Sequence, residues 1–74
     1  MSLLEGEKGN SYQVLFIHLD TAIQKRLEIL GMTSGSKIDI LNKKKNGALI
    51  IKIRGTRFAL GKEFAAGIIV GKTA

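Results

Sequence analysis

Apolar and polar positions change period sharply between Arg26 and Ile40, where the chain reads RLEILGMTSGSKIDI. Before Gly31, the residues Ile23, Leu27 and Leu30 recur at helical spacing and predict one apolar stripe on a helix. After Gly35, Ile38 and Ile40 alternate with Lys37 and Asp39, the period of a strand with one face buried. A helix therefore ends at Gly31, which supplies the left-handed residue that commonly stops one, and a sheet begins beyond Gly35.

The same reading extends to the rest of the chain. Residues 12–19 (YQVLFIHL) are apolar, β-branched and aromatic, and predict a first strand. The helix follows over about residues 22–30, opened by a capping box in which Thr21 precedes Gln24 by three positions, with Asp20 nearby favouring the positive end of the dipole. Residues 37–42 and 48–54 predict two strands joined at Asn46-Gly47, a dipeptide suited to a type I′ turn. Gly55-Thr56 marks a second tight connection into a strand over residues 56–60, with Phe58 and Leu60 on its buried face. Residues 61–66 predict one helical turn, and residues 68–70 a last strand.

About five short strands, tight turns and one short helix after the first strand predict a mainly β small barrel in which closure hides the sheet edges. An SH3-like barrel fits this order best. An OB-fold is the alternative, although its helix usually lies between the third and fourth strands. Ile29 and Met32 fall off the helical stripe and are expected at the surface near the helix end, where Met suits an adaptable protein-binding face.

Composition narrows the picture. A chain of 74 residues is expected to form one domain over residues 1–74. It has no Cys, which removes disulfides, zinc-finger spacing and a Cys nucleophile, and favours a reducing, cytoplasmic location. No apolar run reaches the length of about 18 residues that a membrane-spanning helix needs, and the polar, acidic start is unlike a signal peptide. Twelve Lys and Arg against six Asp and Glu leave a formal charge of +6. Such a field favours encounter with acidic proteins, anionic lipid headgroups or nucleic acid without choosing among them.

Candidate chemistry is sparse. His18 is the one histidine, and the six acids form no pair at helical or strand spacing, so neither a metal site nor an acid–base dyad is expected. Direct metal binding would have to use His18 with scattered carboxylates. Gly31-x-x-x-Gly35 leads from a helix into a strand, the reverse of a phosphate-cradling loop, and no Lys-Ser or Lys-Thr follows it. The reading is therefore of a protein that is not an enzyme and has no cofactor. Lys43, Lys44 and Lys45 predict a solvated hairpin tip; with Lys52, Arg54 and Arg57 they form the alternative, a basic nucleic-acid-binding barrel. Four aromatic residues, with Phe58 assigned to the core, make a thin stacking platform, so nucleic acid is disfavoured.

One resemblance joins these segments. The order is V-x-x-I over residues 14–17, R-L-x-x-L-G-M-x-x-G-x-x-I-x-I over residues 26–40, an N-G turn, R-G-x-x-x-A-L over residues 54–60 and A-x-x-I-x-V over residues 65–70. Together they resemble the FeoA family, small cytoplasmic accessory proteins of bacterial ferrous iron transport. The resemblance implies an SH3-like binding module that acts on the cytoplasmic GTP-binding domain of a FeoB-like membrane transporter, beside an anionic membrane surface, with self-association left open. It brings no iron ligands to this chain. With the helix and its exit as the docking element, the expected partner contacts are Lys25, Arg26, Ile29, Met32 and Arg57.

Overall fold

The computed structural model of the chain describes residues 1–73. Five strands are present: β1 (Ser11–Ile17), β2 (Lys37–Lys43), β3 (Leu49–Ile53), β4 (Thr56–Leu60) and β5 (Ile68–Lys72). Helix α1 (Thr21–Ile29) follows β1, and the short α2 (Lys62–Ala65) precedes β5. A 3₁₀ turn (Leu3–Glu5) leads into the sheet.

The sheet runs β4-β3-β2-β1-β5 with every neighbouring pair antiparallel. Alternation buries one side chain in two: Ile38 and Ile40 of β2, Leu49, Ile51 and Ile53 of β3, and Ile68 and Val70 of β5 all point into the core. This is the mainly β, SH3-like architecture expected from the pattern.

The edges depart from that expectation. The outer edge of β5 is occupied, because Val70 donates its N–H to Met1 O at 2.8 Å and Ser2 bridges Ile69. Among the described residues β4 pairs with β3 alone and leaves its other edge open. Closure thus hides one edge and not both.

The type I′ turn lies at the second hairpin and not at the first. A type I′ turn needs positive φ at both central residues, yet Gly47 has φ 93° while Asn46 is not in the left-handed region. Gly47 N–H instead closes a turn on Lys44 O, and Lys44 N–H bonds Ala48 O, giving a three-residue loop whose last member is the left-handed glycine. The two-residue type I′ turn is Arg54-Gly55, with φ of 50° and 82°, joining Ile53 directly to Thr56.

The helix begins one residue earlier than expected. Asp20 is its N-cap, with Oδ1 accepting the Ile23 N–H at 3.0 Å. Gln24 does not reach back to Thr21. Its amide donates to the carbonyls of Ile17 and Leu19, tying the first turn to the end of β1.

At the other end, Gly31 (φ 97°) donates to Glu28 O and Met32 to Leu27 O, the paired bonds of a Schellman stop. That motif folds the residue after the glycine back onto the helix. Met32 is consequently 0% exposed and shares the core with Leu27. The turn beyond it is held by Ser36, whose hydroxyl donates to Gly31 O and accepts the Thr33 N–H, while Gly35 takes the positive φ (89°) at its third position.

Candidate partner-docking site

Helix α1 does not close fully over the barrel. Its inward side and the open edge of β4 border a groove of about 300 Å³ that continues to the start of α2. The floor is apolar, from Leu27 and Leu60, with Ile23, Phe58 and Phe64 partly buried around it and Leu30 exposed at the rim. Ala59 and Gly61 form the strand-side wall, and Arg26 is the one charged side chain lining the groove.

Helical geometry explains the charge. At about 100° per residue, Ile23, Leu30 and Arg26 lie within one sector beside Leu27, while Glu28 and Lys25 turn away from it. The groove therefore presents a cation and no carboxylate from α1.

The residues expected to touch a partner are not gathered in one place. Arg26 lines the groove. Arg57 is exposed on β4, opposite Lys52 of β3 in register. Lys25 and Ile29, four positions apart, share the solvent side of α1, where Ile29 is 85% exposed. Met32, expected at the surface, lies in the core and cannot contact a partner directly. The Schellman stop is the physical reason, and Gly31 followed at once by an apolar residue was the signal for it.

Reading the chain alone missed Ala59, Gly61 and Phe64 as groove lining, since a strand carries no mark that one of its edges will stay unpaired. Leu30, assigned to the core stripe, is 41% exposed at the groove rim. A second apolar patch arises where β1 shifts register between Val14 and Phe16, leaving both Leu15 and Phe16 about half exposed.

The basic run at the hairpin tip is partly committed to structure. Lys43 donates from Nζ to Gly6 O at 2.9 Å and Leu4 O at 3.3 Å, pinning the 3₁₀ turn to β2. His18 lies just beyond β1 with its side chain exposed and its N–H on Gly67 O. Among the described residues no group of three His, Cys, Asp or Glu side chains could hold a metal ion. Among the same residues no helix is long and apolar enough to cross a membrane. The Glu5 carboxyl is held below its ordinary pKa, first by the Ser2 N–H and then by the Ser2 hydroxyl, each at 3.1 Å.

The FeoA domain family model matches residues 1–72. The chain belongs to the FeoA family. The FeoA protein of Chlorobium tepidum superposes with a TM-score of 0.92 at 27% identity, over 100% of this chain and 71% of that one. A crystallised iron uptake regulatory protein, also a FeoA, gives 0.86 at 31% identity over 95% and 93% of the two chains. FeoA of Stenotrophomonas maltophilia, solved with zinc and described as an SH3-domain protein and candidate activating factor of ferrous iron transport, gives 0.82 at 30% identity over 96% and 89%. Among curated proteins none matches significantly. The family is associated with an accessory role in iron transport.

Proposed function

We propose that this FeoA chain is a cytoplasmic, non-catalytic binding module that regulates a FeoB-type ferrous iron transporter by docking on its GTP-binding domain through α1 and the adjoining groove. The observation that carries the reading is an apolar residue, Ile29, left 85% exposed on the solvent side of α1, the helix whose inward side borders the open apolar groove. The formal charge of +6 would hold the module close to anionic headgroups around the transporter.

The test is calorimetric titration of the transporter's soluble domain with the wild type and with Ile29→Gln, which keeps helix propensity and adds no charge. Wild-type binding that weakens at least tenfold in the variant is expected. Equal affinities would remove α1's solvent face from the interface, and no wild-type binding in either nucleotide state would overturn the reading.

A further inference from the structure

The pairing of β3 with β4 fixes where the open edge points. Arg54-Gly55 is a two-residue hairpin loop, so its flanking residues Ile53 and Thr56 form a hydrogen-bonded pair. Bonded and non-bonded pairs alternate from there. Ile51 with Phe58 and Leu49 with Leu60 are bonded, whereas Lys52 with Arg57 and Ile50 with Ala59 are not. The N–H and C=O of Arg57 and Ala59 therefore face away from β3, and they have no hydrogen-bond partner among the described residues. Ala59, with the smallest side chain in β4, sits where this edge meets the apolar groove.

We infer that β4 accepts an extended segment of a protein partner as a sixth strand, and that the segment is acidic and carries a bulky apolar side chain into the groove. The inference deepens the docking reading above and rests on it. Two outward-facing residues offer the donor and acceptor pairs that strand addition uses, and the groove supplies the pocket for an alternate side chain. Arg26 lines the groove and Arg57 stands on the strand, so two cations border the place of the incoming segment, while the Glu63 carboxylate lies at the far end of the groove, against Gly61. That complementarity, together with a formal charge of +6 that repels a second copy of this chain, selects an acidic partner over self-pairing.

Ala59→Pro tests the backbone directly. It removes an N–H that the β3–β4 ladder does not use, at an edge position where proline is tolerated. Against the transporter's soluble domain, the variant should stay folded and bind at least tenfold more weakly than the wild type. Arg57→Glu should weaken binding and flatten its salt dependence. Hydrogen exchange on the wild-type complex gives a reading independent of any variant's folding: the Arg57 and Ala59 amides should exchange freely alone and become protected by the partner. Wild-type binding with neither amide protected, or unchanged by a folded Ala59→Pro, overturns strand addition and leaves docking through α1 standing. Absence of wild-type binding overturns both.

Discussion

Along its outer edge β5 is bonded to Met1 and bridged by Ser2, with Leu3 fully buried behind them; at the opposite side of the sheet, β4 turns the Arg57 and Ala59 backbone toward a groove and solvent. Both strands are five residues long, so length does not explain the difference. A free edge is a standing invitation to pair. Here one is covered by the chain itself, with Lys43 clamping the cover at Leu4 and Gly6, and the other carries Arg57 and borders the groove beside α1. The covered edge reads as architecture and the open one as a reserved place.

Variants on the two sides should separate stability from binding. The largest effect is expected from Leu3→Ala, which empties a fully buried site under the cover and should cost about 2–5 kcal/mol, a large part of the roughly 4–11 kcal/mol available to a chain this size. Urea unfolding would measure it, and a loss below ~1 kcal/mol would mean that the covering segment is not integral to the core. Ala59→Pro on the open edge should cost no more than ~1 kcal/mol by the same measurement, and a larger loss would show that β4's edge serves stability after all. Lys43→Met keeps the aliphatic stem but gives up two carbonyl contacts at an exposed ammonium, for which ~0.5 kcal/mol is reasonable.

The smallest effect concerns Glu5. Because its folded pKa is lowered, its ionised form stabilises the fold above the unfolded value of about 4.3, and this contribution disappears as pH falls through the lowered folded value. Acid titration of stability should show a shallow decline there that Glu5→Gln removes. An identical profile for the variant would detach Ser2 and Glu5 from the covered edge.

How much of this could be read from the chain depends on the range of the interactions. The helix stop at Gly31, the alternation in β2 and β3, and the return of Phe58 and Leu60 on one face are local, and the structure keeps them. Asn46-Gly47 was a sound hairpin signal with the wrong turn, because Lys44 pairs with Ala48 and adds Lys45 to the loop; the type I′ turn fell to Arg54-Gly55, where an arginine accepts φ of 50°. Met32 was misplaced because helical periodicity was carried one residue past the glycine that ends it. The groove and the open edge were not legible at all, since they depend on which strands remain unpaired after the sheet curls.

The position of β1 in the sheet has a consequence in time. Strands β2, β3 and β4 are joined by tight hairpins and can pair as soon as they leave the ribosome, but β1, made before them, lies between β2 and β5, the last strand made. One of its edges must wait through the synthesis of α1 and three strands. Closure of the barrel is therefore a late, long-range event, and in the interval it is β1, with the bulge that exposes Leu15 and Phe16, that most needs protection from other chains.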